Sequence, residues 1–482
     1  MHRAALSGSP RPRPPDGSDF LSLSLHVGIR PGASYVCGIG LVCGTQVVVT
    51  ASVPTIKGGA FNEATLGKMS RISEIAYENR LPVVSLVQSA GADLSQQFKV
   101  FHKGGGLFRD LALRSASGVP TISVVFGSST AGGAYQPGMS DYTIMVKDQA
   151  KVYLGGPPLV QMATGEIATH EELGGADMHS RTSGVSDFLA SNEHDAVRLA
   201  RQVVAGFDLR ASVPIPRSVI DGTPPEPPRY PAEDLLSVAS ADIRVPYDVR
   251  EVIARLVDGS RFHEFKPLYG AGLVCAFAAI NGYQVGVLAN NGVLFSQEAQ
   301  KATQFIQLVN QRGVPLLYLS NITGFMVGKQ YEQGGIVKHG SLFINAVTNS
   351  TVPAITVVIG ASYGAGNYAM CGRAYRPRFL FSWPQSQCSV MGAEQLAGVM
   401  DIIAREAAKS SGRKINEEQA AQRKMLFKTA VEEENDVYYT SARCIDDGII
   451  DPRDTRAVLT MCLSACYQGA WSGAFYSGIS RL

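Results

Sequence analysis

Charge is scarce in this chain. Asp, Glu, Lys and Arg make up 17% of its 482 residues, and 43 basic residues against 41 acidic ones leave a formal charge of +2. So even a balance gives no support to a nucleic-acid partner or a membrane-surface role. Cysteine is thin as well. The eight cysteines (Cys37, Cys43, Cys275, Cys371, Cys388, Cys444, Cys462 and Cys466) form no CxxC pair, which argues against a disulfide scaffold or zinc knuckle and for a reducing compartment. No uninterrupted apolar run reaches the ~18 residues of a membrane-spanning helix. Among the eight histidines, His102, His170, His179, His194 and His339 lack HExxH or comparable spacing, so no metal site is expected. GxxxxGK[ST], GxSxG and a Rossmann glycine pattern in its needed context are also missing. What is plentiful is glycine, 50 residues, in a chain that is 45% apolar. That combination suits a tightly packed, glycine-turned α/β core.

An internal repeat organises the chain. SGVPTISVVFGSSTAGGAY at 117–135 matches STVPAITVVIGASYGAGNY at 350–368 in 10 of 19 positions, at an offset of 233. The same offset carries NRLPVVSLVQSAG (79–91) onto RGVPLLYLSNITG (312–324), and Lys68 onto Lys301. One offset held over several features implies two homologous domains. Between them, the stretch 211–236 carries seven prolines. Proline removes a backbone donor and fixes φ, so this stretch reads as an extended connector. The expected division is a flexible leader at 1–20, a first domain at 21–215, a connector at 216–234 and a second domain at 235–482. The leader is rich in Pro, Ser and Arg, with three arginines before its first acid, Asp16; an organelle-targeting reading stands beside that of a frayed leader.

Each half repeats one pattern. A helix (about 63–79, or 296–312) leads to a short apolar strand (82–87, or 315–319). A loop and a second helix follow (about 104–117, or 336–350), then a second β-branched strand (121–125, or 354–358). Strands apolar on both faces suit a parallel sheet covered by other layers. Shorter strands lie earlier in each half, at Gln46–Thr50 and Gln284–Leu288.

A glycine-rich turn follows the second strand in both halves: Gly127-Ser128-Ser129-Thr130-Ala131-Gly132-Gly133-Ala134-Tyr135, and Gly360-Ala361-Ser362-Tyr363-Gly364-Ala365-Gly366-Asn367-Tyr368. Small residues let backbone approach a ligand, and amides at a helix start carry partial positive charge. Two such turns therefore read either as close helix–strand packing or as a pair of oxyanion holes, and the duplication favours the second. No acid–base side-chain set stands out around them. That favours chemistry in which a cofactor or the substrate supplies the base.

These segments, with Lys57-Gly58-Gly59, LGGPPLVQMATGE at 154–166, EELGGADMHSRTSGVSD at 171–187, YGAGNYAMCGRAYRPRFLFSWPQS at 363–386 and DPRDTR at 451–456, resemble the carboxyltransferase (β) subunits of biotin-dependent acyl-CoA carboxylases, in particular the methylcrotonyl-CoA and geranyl-CoA branch. The resemblance covers about residues 30–480. It implies two tandem crotonase-like (ClpP/crotonase) β-β-α superhelix domains. The first would bind the acyl-CoA, its enolate held by the Gly132 and Gly133 amides, with Ala131, Ala134, Tyr135, Gly138, Gly155 and Gly156 at the substrate. The second would receive biotin from a partner subunit, with Ala365 and Gly366 at the ureido oxygen and Tyr363, Gly364 and Asn367 around it.

The resemblance further implies a homo-oligomer, expected as a hexamer with sites where the first domain of one subunit meets the second of another. It implies a biotin carboxylase/biotin carrier α subunit as partner, since this chain has no biotinylation sequence and no ATP-grasp signature. It implies action in the cytoplasm of a bacterium or the mitochondrial matrix of a eukaryote. The expected reaction is transfer of CO2 from carboxybiotin to the γ-carbon of 3-methylcrotonyl-CoA. Geranyl-CoA or a short saturated acyl-CoA are the alternatives, with small Ala134 and Gly138 leaving room for a longer chain in a pocket near 134–140. A biotin-independent hydratase or decarboxylase, a decarboxylase subunit beside a membrane partner, and a non-catalytic scaffold of the same fold are the other readings. Family members carry a longer region before the equivalent of Phe20-Leu21.

Overall fold

The computed structural model describes residues 20–23, 33–206, 225–240, 242, 245–411 and 415–469. The leader expected at 1–20 lies outside these residues apart from Phe20, as does the 216–224 part of the expected connector. The chain divides into two compact units, Met1–Pro214 with Tyr467–Gly469 and Ile215–Cys466 with Ala470–Leu482.

The first unit is built on an eight-stranded sheet. β1 (Phe20–Leu23), β2 (Tyr35–Val42) and β3 (Thr45–Ser52) are antiparallel. The chain then runs through helix α1 (Glu63–Glu78), β4 (Val83–Ser89), α2 (Gln97–Ala116) and β5 (Thr121–Thr130). A short helix, α3 (Tyr135–Gly138), precedes β6 (Tyr142–Val146) and β7 (Lys151–Tyr153). Next come α4 (Pro157–Thr164), β8 (Phe188–Ala190) and α5 (Glu193–Ala205). β3, β4, β5, β6 and β8 are parallel, and β7 joins the far end of β5. The parallel strands are apolar on both sides because each face is covered. Val47, Val84, Ile122 and Ile144 pack with Ala196, Ala200 and Val204 of α5. The opposite face lies under α1 and α2.

The second unit repeats this plan on seven strands. Its elements are β9 (Phe262–Glu264), β10 (Leu273–Ile280), β11 (Tyr283–Asn290), α6 (Ser296–Arg312), β12 (Leu316–Ile322) and α7 (Ile336–Thr348). They continue with β13 (Ala354–Tyr363), α8 (Gly364–Ala369), β14 (Phe379–Ser382) and β15 (Gln387–Ser389). Two longer helices, α9 (Ala393–Ser410) and α10 (Glu417–Asn435), follow.

Small details repeat with the plan. Each antiparallel hairpin closes on two residues with positive φ, Cys43-Gly44 and Asn281-Gly282, the conformation that matches strand twist. The register of β4 against β5 shifts between Val87 and Ser89, and that of β12 against β13 between Ser320 and Ile322. Those pairs are 233 apart. Opposite each bulge sits a glycine whose added Cβ would strike an amide side chain, Gly127 against Gln88 (2.7 Å) and Gly360 against Asn321 (2.3 Å). Lys68 and Lys301, also paired by the repeat, are 1% and 0% exposed. The main departure from expectation is the start of α2. It begins at Gln97 and runs through Gly104–Gly106, because Val100, Leu107 and Arg114, seven apart, set a buried stripe that outweighs the low helix preference of three glycines.

Behind the second unit's turn, two adjacent carboxylates are buried. Asp447 pairs with Arg373 (3.2 Å) and accepts the Leu380 amide (2.8 Å). Asp446 accepts from Ser441 Oγ (2.7 Å), and its Oδ2 has no partner. Burial pushes Asp446 up to about 6, opposed by the Ser441 and Ser382 hydroxyls, reinforced by Asp447 and opposed again by Arg373. Its folded pKa thus lies above the ordinary carboxylate value, so the protonated form is the one the fold favours. The stability it confers is complete below about pH 4 and is lost as pH rises through about 6. Asp446→Asn should therefore raise stability at pH 8 by on the order of 2 kcal/mol, with the gain vanishing near pH 4. Thermal unfolding across that range checks it, and a gain independent of pH would contradict the assignment.

Candidate functional site

The two turns share their backbone. β5 ends at Thr130, and Ala131 enters the turn at φ +53°; β13 ends at Tyr363, and Gly364, its equivalent, also has φ +53°. Each turn then becomes a helix, Ala131–Ala134 running into α3 in the first unit and α8 in the second. The amides of Gly132 and Gly133, and of Ala365 and Gly366, lie in first turns, where a helix leaves its N–H groups short of intrahelical partners.

The two residues of each pair are not alike. A Cβ on Gly133 would meet Ser89 Cβ at 3.1 Å, and one on Gly366 would meet Ile322 Cγ1 at 2.5 Å. Ser89 and Ile322 are equivalents by the same offset, so both units need glycine here to seat the helix against the bulged strand. At the other position, a Cβ on Gly132 would meet only Phe108 Cζ, at an ordinary 3.7 Å, and the second unit carries Ala365 there. Packing does not require glycine at 132.

The serines near the turns are structural. Ser129 Oγ donates to the Gly133 carbonyl (2.9 Å), and Ser362 Oγ accepts from Asn367 Nδ2 (2.8 Å); both serines are buried. Asn367 is thereby tied to its own strand. Tyr363 is buried too and donates to Gln387 Oε1 (2.5 Å), with burial pushing its hydroxyl up to about 12. Tyr135 and Tyr368, equivalent by offset, are 44% and 46% exposed and flank the two turns. Ala134 is packed in the first unit's core, while Gly138 is exposed with nothing near its Cβ position. Gly155 and Gly156 lead into α4, whose Leu159 and Met162 are exposed.

The pocket that opens at Gly132 takes in Gln136 from the stretch 134–140. It runs between the sheet and helices α1 and α2, walled by Val48, Phe61, Met69, Ile72, Leu107 and Phe108. Polar groups line it as well: Tyr35, Thr50, Ser73, Ser85, Arg114 and Gln136. No Asp, Glu or His lines it. The nearby histidine of the sequence motif, His179, is buried and spent on the Val152 carbonyl and Ser183 Oγ (both 2.6 Å). The polar wall escaped notice in the sequence because its residues come from six separate elements. The signal was present in the repeat, where each aligns with an apolar residue.

The chamber thus offers an apolar channel ending at unencumbered amides and contains no side-chain base. Such a site can hold a thioester and the oxyanion of its enolate, and it fits a reaction whose base comes with a cofactor.

A family model for the carboxyl transferase domain matches residues 23–475. The chain is 52% identical to a probable biotin-dependent acyl-coenzyme A carboxylase β2 subunit of Mycobacterium tuberculosis, over 100% of this chain and 92% of that one. It is 48% identical to the biotin-dependent 3-methylcrotonyl-coenzyme A carboxylase β1 subunit of the same organism, over 93% and 86%. The crystal structure of the P. aeruginosa geranyl-CoA carboxylase β subunit aligns with a TM-score of 0.87 and 42% identity, covering 100% of this chain and 89% of that one. The fold is accordingly a tandem of crotonase-like β-β-α domains. The chain belongs to the carboxyl transferase domain family, as a carboxyltransferase (β) subunit of the biotin-dependent acyl-CoA carboxylases, the enzymes that move CO2 from carboxybiotin to an acyl-CoA.

Proposed function

We propose that the acyl chain of the substrate enters the chamber at Gly132 and that it is longer than 3-methylcrotonyl, with geranyl-CoA as a chain of suitable length. The observation that carries this is the likeness to a geranyl-CoA carboxylase β subunit, beside a pocket at Gly132 whose lining includes the apolar Val48, Met69, Val83 and Phe108.

In this reading the Gly132 and Gly133 amides bind the thioester oxygen and hold the negative charge that grows there as the carbon acid is deprotonated. The apolar walls exclude water and fix the chain so that its reacting carbon faces out of the chamber. The Ala365 and Gly366 amides hold charge at the second turn, with exposed Tyr368 beside them. Biotin, carried on a separate α subunit, supplies the CO2 and the base. The absence of a carboxylate or imidazole in the chamber fits that division of labour. The β subunits assemble with one another, a hexamer being the expected form. The complex works in the cytoplasm of a bacterium or the mitochondrial matrix of a eukaryote.

Two measurements test this. Labelled bicarbonate, ATP and a biotinylated α subunit are supplied with acetyl-, propionyl-, 3-methylcrotonyl- and geranyl-CoA. Fixation is expected with the highest kcat/KM on geranyl-CoA, and a strong preference for 3-methylcrotonyl-CoA would overturn the chain-length reading. A pair of variants then separates packing from catalysis. Gly366→Ala should lose about 1–3 kcal/mol of stability through overpacking against Ile322. Gly132→Ala should keep its Tm, since its methyl meets only Phe108 at ordinary contact, while kcat/KM falls about tenfold or more as the methyl narrows the mouth. Full activity in Gly132→Ala would contradict the placement of the thioester.

A further inference from the structure

Exposure around α8 is confined to one face. Ala365 and Tyr368 are exposed, while Gly366 and Ala369 are buried. Gly366 is the residue that seats α8 against Ile322. With 3.6 residues per turn, Tyr368 lies roughly 60° from Ala365 around the axis and roughly 160° from Gly366. Side chains on a helix lean toward its start. The ring of Tyr368 therefore leans over the turn in which the Ala365 amide opens, on the side that packing leaves bare.

The first unit has the same arrangement. Tyr135 stands three residues after Gly132, as Tyr368 stands three after Ala365, and the two rings are 44% and 46% exposed. The Tyr135 ring lies 5.2 Å from that of Phe108, the same side chain that a Cβ on Gly132 would meet at 3.7 Å. The offset of 233 carries Phe108 onto Ser341, so the equivalent helix offers no aromatic support in the second unit. Tyr368 rests instead on Tyr375, with ring centroids 5.8 Å apart and planes at 37°. Tyr375 in turn packs against the apolar core of that unit. Two different supports thus hold an exposed aromatic ring at one position, beside the amide that packing leaves free.

The other side chains expected around biotin are engaged elsewhere. Tyr363 is buried and bonded to Gln387. Asn367 Nδ2 donates to Ser362 Oγ (2.8 Å) and Cys388 Sγ (3.6 Å). Among the side chains of the turn and α8, Tyr368 is the one that presents a large exposed face.

We propose that Tyr368 is a positioning residue for biotin, its ring face, backed by Tyr375, packing on the fused ureido bicycle. This rests on the reading that the Ala365 and Gly366 amides receive biotin, and it adds the contact that orients the ring there. A flat ureido group fused to an apolar ring matches an aromatic face. Cover by that face also keeps water from the ureido oxygen, and a hydrogen bond from an amide to a charged oxygen is stronger in a drier setting. The ring face meets biotin alike before and after CO2 leaves, so it acts on affinity rather than on the chemical step.

The test is binding of free biotin to the full chain, read by saturation-transfer NMR, beside carboxyl transfer from a carboxylated acyl-CoA to free biotin. Tyr368→Ala should raise the dissociation constant and the KM for biotin about fivefold or more, with kcat and acyl-CoA affinity unchanged. Tyr368→Phe should stay within about twofold of the unaltered chain, because the ring face and not the hydroxyl makes the contact. Tyr368→Leu keeps an apolar cover on Tyr375 but has no flat face; it should show the same loss, and it stands in if the alanine variant does not fold. Biotin bound as tightly by Tyr368→Ala or Tyr368→Leu as by the unaltered chain overturns the proposal, and loss of biotin in Ala365→Pro would then leave the second turn standing as the biotin site. A loss in Tyr368→Phe as large as in Tyr368→Ala overturns the ring-face contact, and so does a fall in kcat with KM unchanged. An unaltered chain that binds no biotin overturns the proposal and the placement of biotin at the second turn together.

Discussion

The close approach of a helix start to a bulged strand is the constraint on which the rest of the structure turns. In each unit the strand before the one that leads into the turn, β4 or β12, shifts register near its end, and the helix after the next strand presses a glycine, Gly133 or Gly366, into the space beside the bulge. A methyl group would not fit without movement of Ser89 or Ile322. Because the fit is that tight, the amides on either side are held rigidly. Rigid amides are what electrostatic stabilisation of a developing oxyanion demands, since donors that need not reorganise are worth most at the moment of reaction. Packing and catalysis are thus not competing explanations of these turns. One glycine of each pair serves packing, and its neighbour is left free to serve chemistry.

Duplication supplies the comparison that makes the remainder interpretable. Both units keep the bulge, the left-handed residue at the turn entry, the exposed tyrosine and the buried lysine. They differ in the layer between sheet and helices. The second unit fills that layer with Leu273, Phe305, Ile306, Tyr318 and Val347. The first leaves it hollow and lines its floor with hydroxyls, an amide and a guanidinium. Cavities cost stability, and buried charges without partners cost more. In this layer the first unit keeps a pocket and a buried guanidinium where its twin packs apolar side chains.

Much of this was legible in the sequence, for physical reasons that can be named. The offset of 233 was visible because strand, turn and helix must meet at fixed spacing around the bulge, so insertions are not tolerated there. The helix 296–312 was read to the residue because Gly313 ends it in the left-handed conformation. The helix expected at about 104–117 begins earlier, at Gln97, because the buried stripe of Val100, Leu107 and Arg114 extends it towards the N-terminus. The resemblance placed the acyl pocket near 134–140; of that stretch, Ala134 sits in the core and Gln136 lines the pocket at Gly132. The chamber could not be seen along the chain, since Tyr35 and Gln136 are brought together only by the fold.

The most direct measurement of the central account is carboxyl transfer by the purified chain from a carboxylated acyl-CoA to free biotin, comparing the unaltered chain with Ala365→Pro. Proline is tolerated in the first turn of a helix and removes only an amide that has no intrahelical partner there. The account predicts that transfer falls below detection while Tm and thioester binding stay as they were. Transfer at the unaltered rate in Ala365→Pro would show that the second turn holds no charge in the reaction and would contradict the account.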